Sequence, residues 1–310
     1  MGNVVKKGLW MRLPPKLKDL PPVASRHTDS QSAGSYFSYR GKISVHYRTL
    51  GQGPLPILFL HGFASSSTTW QELAGLFPGE EYTLCLLDLK GFGLSGKPKD
   101  DAYSIEDQAE LVKAFILDRG YRSLVLVGHS LGGAVALRVC IDAGMDGGDF
   151  RVAKLVLIDS AAYPQRLPRF FRKLRSPIGP LFLRLMPVRL LVQGVLERVF
   201  FDHAAITAER FERYSSYFRG KGIAYALRAT VKAIDPEAYA RIEESYRRLK
   251  LPVLIIWGAE DRNVRLSLGQ RLHGDLSGSR LRILEKCGHN PHEERPEETY
   301  SEISSFLRDS

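Results

Sequence analysis

Residues 124–134, LVLVGHSLGGA, place one serine, Ser130, between an apolar run and a helix-compatible run. The apolar run ends at Gly128, and the sequence AVALRVCIDA begins just beyond Gly132 and Gly133. Glycine at these places lets a strand turn sharply into a helix, because a Cβ there would collide with the neighbouring strand or helix. The turn forces the serine toward strained backbone angles and aims its oxygen out of the sheet. The stretch therefore predicts a nucleophile elbow rather than a glycine-rich connection without chemistry.

Apolar strands alternate with helices on both sides of this turn. A hairpin is predicted at 36–50, and further strands at 56–60, 82–87, 124–128, 154–158, 253–257 and 280–284. Helices are predicted at about 66–77, 104–119, after the elbow, 264–276 and 296–307. Buried strands that alternate with helices of about three turns indicate a parallel sheet covered on both faces.

The alternation stops at Tyr163 and resumes at Leu251, and the intervening sequence predicts helices only. Apolar positions recur at helical spacing in 188–200, 207–220 and 235–249. We therefore expect a flexible basic arm at 1–34, a core formed by 35–162 and 251–310, and a helical cap at 163–250. Such a cap would lie over the C-terminal ends of the strands, where ligands bind in open α/β sheets.

Positive charge is concentrated in two segments. The chain has a net charge of +10; residues 1–40 carry seven Lys/Arg against two Asp, and residues 166–198 carry eight against one Glu. The second segment also contains Phe170, Phe171 and several leucines, and Pro177, Pro180 and Pro187 must break it into short pieces. Two interpretations stay open: a surface that rests on an anionic membrane, and a basic cap that merely faces water.

Two residues that follow the last two strands complete a candidate constellation with Ser130. His289 lies just past the last strand and Asp261 just past the strand before it. A serine nucleophile needs a base, and the base needs an acid that orients it. Asp159, at the end of an earlier strand, is the alternative acid; its other expected role is to cap the start of the insertion.

The chain resembles the α/β-hydrolase superfamily, specifically its capped, epoxide-hydrolase-like branch. The matching motifs are His61–Gly62–Phe63, Asp88-x-x-Gly91-Phe92-Gly93-x-Ser95, Gly128-His129-Ser130-Leu131-Gly132-Gly133, Gly258-x-x-Asp261 and Gly288-His289. Serine stands at the elbow where epoxide hydrolases and haloalkane dehalogenases carry aspartate, so the resemblance points to esterases, lipases and carbon–carbon hydrolases. It implies an α/β-hydrolase fold with a mostly parallel eight-stranded sheet, and an oxyanion hole formed by the backbone N–H groups of Phe63 and Leu131.

The other polar residues of these motifs are expected to have structural roles. His61 is expected to pack beneath the oxyanion loop, His129 to be fixed by the elbow, and Asp88 to fix its own glycine-rich loop. His292, among Glu293 and Glu294, is expected at the surface. The histidines at 27, 46, 203 and 273 lack paired ligand spacing, so no metal site is predicted.

The expected activity is that of a serine hydrolase acting on carboxylic esters with an apolar acyl part. A carbon–carbon bond hydrolase with the same triad and a non-catalytic hydrolase-like receptor are the alternatives. We expect no cofactor, a small ester or lipid-like substrate, and no nucleic-acid partner; peripheral contact with an anionic membrane stays open. Cys85, Cys140 and Cys287 form no disulfide framework, which suits a reducing, cytoplasmic location. The N-terminus lacks the apolar core of a secretory signal.

Overall fold

The structure is a computed structural model that describes residues 34–145, 148–165 and 169–309. The predicted N-terminal arm, 1–34, lies outside these residues except for its last one.

Eight strands form one sheet, as the sequence predicts. They are β1 (Ser35–Tyr39), β2 (Ile43–Leu50), β3 (Leu55–Leu60), β4 (Tyr82–Leu87), β5 (Ser123–His129), β6 (Arg151–Ile158), β7 (Val253–Gly258) and β8 (Arg280–Leu284). Their order across the sheet is β1-β2-β4-β3-β5-β6-β7-β8. The pairs β1–β2 and β2–β4 are antiparallel and the others parallel. The carboxyl ends of β3 to β8 therefore meet at one edge of the sheet.

The helices of the described residues lie on the two faces of this sheet or in the segment between β6 and β7. They are α1 (Gln71–Ala74), α2 (Ile105–Asp118), α3 (Leu131–Met145), α4 (Arg169–Arg175), α5 (Gly179–Leu185), α6 (Val188–Val199), α7 (Ala208–Tyr217), α8 (Ile223–Lys232), α9 (Pro236–Tyr246), α10 (Leu266–Asp275), α11 (Pro291–Glu294) and α12 (Pro296–Arg308). Apolar residues of α2, α3 and α10 pack in one core cluster, and those of α1 and α12 in the other. The inner parallel strands β3 to β7 are consequently buried over most of their length, whereas the edge strand β8 is largely exposed.

Two helices differ from the sequence prediction. The helix expected at about 66–77 is a 3₁₀ turn, Ser67–Trp70, followed by the single turn of α1. It ends early because Pro78 disfavours helical backbone in the residue before it, and Phe77 packs against Phe59. Helix α8 was not predicted, since it begins after Gly222 (φ 86°) without a side-chain cap.

The segment between β6 and β7 is helical where it is described, and we call α4–α9 the helical insertion. As the three prolines predict, its basic part is divided into α4, α5 and α6. Thr207 and Asp235 cap α7 and α9 through their side chains, as their positions in the sequence predict.

None of the helices in the described ranges combines the length and apolarity that crossing a bilayer requires. Cys85, Cys140 and Cys287 are free and buried.

Candidate active site

The turn after β5 has the strained geometry that its glycines predict. Ser130 adopts φ 51°, in the left-handed region that non-glycine residues rarely occupy. A Cβ on Gly128 would lie 2.5 Å from the Gly132 carbonyl oxygen, and one on Gly132 would lie 2.2 Å from the Leu60 carbonyl oxygen. Only glycine therefore lets α3 start this close to β5 and β3.

The structure brings Ser130, His289 and Asp261 into one hydrogen-bonded chain. The Oγ of Ser130 lies 3.0 Å from Nε2 of His289. Nδ1 of His289 lies 2.7 Å from Oδ2 of Asp261. With Nδ1 protonated and donating to the carboxylate, Nε2 is left as the acceptor for the serine hydroxyl proton. This is the arrangement that activates a serine nucleophile.

Backbone contacts fix both partners of the serine. The other carboxylate oxygen of Asp261, Oδ1, accepts hydrogen bonds from the N–H groups of Asn263 and Val264 at 2.6 and 3.0 Å. The N–H of His289 donates to the Val199 carbonyl oxygen at 2.7 Å, and this carbonyl belongs to the last residue of α6. The helical insertion thus contacts the backbone of the candidate base directly.

Asp159, the alternative acid, lies beside Asp261 but makes a different contact. Its Oδ1 accepts a hydrogen bond from the N–H of Gly258 at 3.0 Å, so its expected role as a cap at the start of the insertion is wrong. The residue is fully buried, and burial together with the charge of Asp261 raises its pKa well above the ordinary value. Burial and the neighbouring carboxylate thus favour the protonated form of Asp159, beside the Asp261–His289 pair.

These three side chains also form a compact group of potential metal ligands. One ligand atom from each of Asp159, Asp261 and His289 lies within 4.8 Å of the others. The hydrogen bond between His289 and Asp261 already accounts for this proximity.

Two backbone N–H groups beside the serine lack a hydrogen-bond acceptor within the part of the chain that the structure describes. They belong to Phe63 and Leu131, the residues expected to form the oxyanion hole. Both residues line the same cavity as Ser130. A Cβ on Gly62 would lie 3.2 Å from the Ser130 Cβ, so the chain before Phe63 passes directly against the serine. Unpaired N–H groups at this place are available for negative charge that develops near Ser130.

A cavity of about 470 Å³ opens above the serine. It lies between the sheet edge and the helical insertion, and both contribute to its walls. Ser130 and His289 are part of its surface, and the walls are mainly aromatic and aliphatic, including Phe63, Leu131, Phe170, Phe171, Phe182, Met186, Leu191, Val195, Val199 and Phe218. The charged side chains of the lining, apart from His289, are all cationic: Arg169, Lys173, Arg175 and Arg198.

Two further histidines have the structural roles that the sequence predicts. Nδ1 of His61 donates to the Gly62 carbonyl oxygen at 2.8 Å, while its Nε2 accepts the N–H of Leu89 at 3.0 Å. Nε2 of His129 donates to the carbonyl oxygen of His289 at 2.8 Å. Both rings are buried, and burial lowers the pKa of each. As neutral groups, His61 holds the backbone of Gly62 and Leu89, and His129 holds the backbone of His289.

The prediction that His292 lies at the surface is wrong. His292 is fully buried, and the centroid of its ring lies 4.4 Å from that of Trp70 and 4.5 Å from that of His129, both in tilted arrangements. Glu293 is also buried and accepts a hydrogen bond from Arg213 of α7 at 2.8 Å. Glutamate is buried here because cations of the insertion supply the opposite charge.

Asp88 fixes its own loop, as expected. Its carboxylate accepts hydrogen bonds from the N–H groups of Ser67 and Leu94 at 2.6 and 2.8 Å. It also lies 2.8 Å from Nδ1 of His46, a contact that the sequence did not indicate. The Asp88 loop supports the oxyanion side of the site because Leu89 binds His61.

The sequence profile of the alpha/beta hydrolase family matches residues 57–302. The chain belongs to this family. The match runs from β3 through α12 and so includes the elbow, Asp261 and His289. The predicted fold class is confirmed.

Two curated relatives of this hydrolase are similar over most of their length. The uncharacterized hydrolase YugF of Bacillus subtilis (strain 168) is 30% identical over 264 residues, which cover 85% of this chain and 93% of the relative. Monoacylglycerol lipase abhd6-B of Xenopus laevis is 26% identical over 294 residues, covering 88% of this chain and 81% of the lipase.

Solved structures show the same fold. The crystal structure of a membrane phospholipase A is 28% identical with a TM-score of 0.70, covering 89% of this chain and 85% of the other. A meta-cleavage product hydrolase is 18% identical with a TM-score of 0.76, covering 89% and 98%. At this identity, the second likeness establishes only the fold.

Proposed function

We propose that this hydrolase cleaves carboxylic esters with an apolar acyl part through an acyl-enzyme on Ser130. The observation that carries the proposal is the chain of contacts from Ser130 through His289 to Asp261, at 3.0 and 2.7 Å, at the floor of an apolar cavity. A membrane phospholipase and a monoacylglycerol lipase among the similar proteins are in keeping with it.

In the first half of the proposed reaction, Oγ of Ser130 attacks the ester carbonyl carbon and its proton passes to Nε2 of His289. Asp261 holds the imidazole through Nδ1 and stabilises the imidazolium that forms. The N–H groups of Phe63 and Leu131 donate to the oxyanion of the tetrahedral intermediate. When the C–O bond breaks, His289 gives its proton to the leaving alcohol, and the acyl group remains on Ser130.

In the second half, water attacks the acyl-enzyme with His289 again acting as the base. Proton return to Ser130 then releases the carboxylic acid. The apolar walls of the cavity exclude bulk water from the acyl group and supply the binding energy that positions it. No step in this sequence uses a cofactor, and we propose that the helical insertion acts as the cap that closes the cavity.

Carbon–carbon bond hydrolysis with the same triad is the second candidate. An ester substrate is favoured because the walls of the cavity are mainly apolar and suit an apolar acyl chain. A non-catalytic receptor is disfavoured by the bonded serine–histidine–aspartate chain.

The test is hydrolysis of p-nitrophenyl esters of rising acyl length together with a serine-directed fluorophosphonate label. We expect turnover and labelling by the native chain, and a loss of about 10⁴- to 10⁶-fold in turnover with no label in Ser130→Ala. Ser160→Ala is the matched control: its buried hydroxyl contacts the Gly128 carbonyl oxygen at 3.4 Å, beside the elbow. Labelling that persists in Ser130→Ala would overturn the assignment.

A further inference from the structure

Large exposed apolar side chains are concentrated on two neighbouring helices of the insertion. Nine such residues occur in the described ranges, and four of them lie between Ile178 and Leu190. Ile178, Leu181 and Leu185 are 66%, 55% and 70% exposed. Ile178 is the N-cap of α5, and the spacing i, i+3, i+7 puts the three residues on one side of that helix. Leu190 of α6 is 60% exposed. Exposed apolar residues scattered singly are ordinary, but a helical stripe of them indicates a binding surface.

The preceding helix presents four exposed cations without a matching acid. Arg169, Arg172, Lys173 and Arg175 form no ion pair with any residue in the described part of the chain. Elsewhere in the insertion the arginines of α7 are paired: Arg213 contacts Glu72 and Glu293. We define the four cations of α4 together with the four exposed apolar residues of α5 and α6 as the outer face.

The outer face borders the opening of the cavity. Leu190 is exposed and also lines the cavity, and Arg169, Lys173 and Arg175 do the same. On α5, Phe182 and Met186 line the cavity wall, whereas Leu181 and Leu185 are exposed and do not. A single short helix therefore has one side toward the cavity and another toward the outside.

Cations beside an apolar stripe have the chemistry of a lipid-contacting surface. The cations match the headgroups of an anionic leaflet, and the leucines and Ile178 match its acyl region. A nucleic acid would bind the cations but would leave the apolar stripe in water. The net charge of the segment 166–198, eight Lys/Arg against one Glu, opposes a second copy of the same face.

We propose that the outer face docks on an anionic lipid bilayer. Docking places the cavity opening at the headgroup region, so that an ester can pass from the bilayer to Ser130 along the apolar walls. This second statement rests on the proposed function; the docking itself does not.

The experiment uses the full chain carrying Ser130→Ala, so that hydrolysis does not alter the vesicles. Co-sedimentation is measured with phosphatidylcholine vesicles and with mixed phosphatidylcholine–phosphatidylglycerol vesicles, at low and high salt. We expect at least about tenfold tighter binding to the anionic vesicles, weakened by salt. Equal binding to both compositions would overturn the proposal.

A charge-matched pair of variants locates the contact. Neutralising the outer face with Arg169→Gln, Arg172→Gln, Lys173→Gln and Arg175→Gln should lower the affinity by roughly 600-fold, because each of the four cations near an anionic surface contributes about fivefold. The control neutralises four exposed cations from other surfaces: Lys42→Gln, Arg122→Gln, Arg151→Gln and Lys250→Gln. Equal losses in the two variants would show attraction by net charge alone and would overturn the assignment of this face.

An apolar variant separates lipid insertion from simple charge attraction. Ile178→Ser, Leu181→Ser and Leu185→Ser together should lower vesicle affinity by about tenfold or more. The control is Leu117→Ser on α2, a site that is 48% exposed. Unchanged vesicle binding in the triple variant, with binding to duplex DNA that also persists, would show a polyanion site and overturn lipid docking.

The two proposals fail in different ways. With Ser130 restored, the apolar variant should hydrolyse a soluble short-chain ester at the native rate, since none of its three residues lines the cavity. It should hydrolyse an ester embedded in anionic vesicles more slowly, by about the factor lost in binding. Absence of all ester hydrolysis contradicts the proposed function, whereas hydrolysis without vesicle binding contradicts docking.

Discussion

The sheet edge around Ser130 and the outer face of α4–α6 use polar groups in opposite ways. At the sheet edge, Asp261 and His289 are 7% and 6% exposed and are held by several hydrogen bonds. On the outer face, four cations are exposed and have no carboxylate partner in the described ranges. A catalytic group must be fixed before the substrate arrives, because its geometry sets the barrier. A docking group must keep its interactions available for the partner.

The basic residues of the insertion have two different environments, as helix α7 shows. Arg210 and Arg213 are buried against the sheet domain, where they contact Glu72 and Glu293. These arginines attach the insertion, whereas those of α4 form no ion pair with any residue of the described ranges. Counting charges in the sequence cannot separate the two groups, since the separation depends on which carboxylates each helix meets.

The largest effect is expected from the acid of the constellation. Asp261→Asn should lower turnover by about 10⁴-fold, because an amide in place of the carboxylate no longer holds the imidazole in the tautomer that accepts the serine proton. Asp159→Asn should lower it by less than about tenfold, since Asp159 bonds to the Gly258 N–H rather than to His289. Turnover of a soluble ester measures both.

The same pair of variants can overturn the assignment of Asp261, rather than Asp159, as the acid that orients His289. A larger loss in Asp159→Asn than in Asp261→Asn would make Asp159 the orienting acid and would assign Asp261 a structural role. Thermal unfolding of both variants is the control, because a folding defect would lower turnover without bearing on the mechanism.

Much of the sheet and the constellation could be predicted from local sequence. The elbow is recognisable because its glycines are needed at fixed offsets from Ser130, and the ends of β7 and β8 place Asp261 and His289 at one edge. The short α5 and the capped α7 were also predictable, since Pro and Thr signals act within a few residues. These features depend on neighbours in the chain.

What could not be predicted depends on residues far apart in sequence. Glu293 is buried because Arg213, 80 residues earlier, bonds to it, and no local pattern announces this. His292 is buried because Trp70 and Thr69, which lie more than 220 residues earlier in the chain, pack against it. The role of Asp159 follows from its pairing with Gly258 across 99 residues.

A smaller effect, on stability, tests the attachment of α7. Glu293→Gln should lower the free energy of unfolding by about 3 kcal/mol, because it removes the charge that compensates the buried Arg213. The matched control is Glu212→Gln, which lies on α7 itself. Its partner Arg219 lies 3.3 Å away, but the two side chains are 67% and 62% exposed, so a loss below about 1 kcal/mol is expected. Chemical denaturation measures both, and equal losses would show that α7 is not attached through Glu293.

The smallest effect concerns how stability depends on pH. Burial and the neighbouring Asp261 raise the pKa of Asp159 above its unfolded value of about 3.9, so the folded chain binds more protons than the unfolded chain. The contribution of Asp159 is therefore fully present below about pH 4 and is lost as the pH rises toward the folded pKa. His289 and Glu294 also face this carboxyl group, and both are unchanged in the Asp159→Asn variant described next.

Asp159→Asn removes this titration. At pH 7 the free energy of unfolding of the variant should exceed that of the native chain by on the order of 1 kcal/mol, and the difference should vanish near pH 4. The outer face supplies the contrasting variant, because Arg172 is exposed and forms no ion pair in the described ranges. Arg172→Gln should leave the pH dependence of unfolding unchanged. A difference between native and Asp159→Asn that is constant from pH 4 to 7 would mean that Asp159 is ionised in the folded protein. The buried carboxyl would then be a second negative charge beneath His289, and the acidic pair, rather than Asp261 alone, would orient the base.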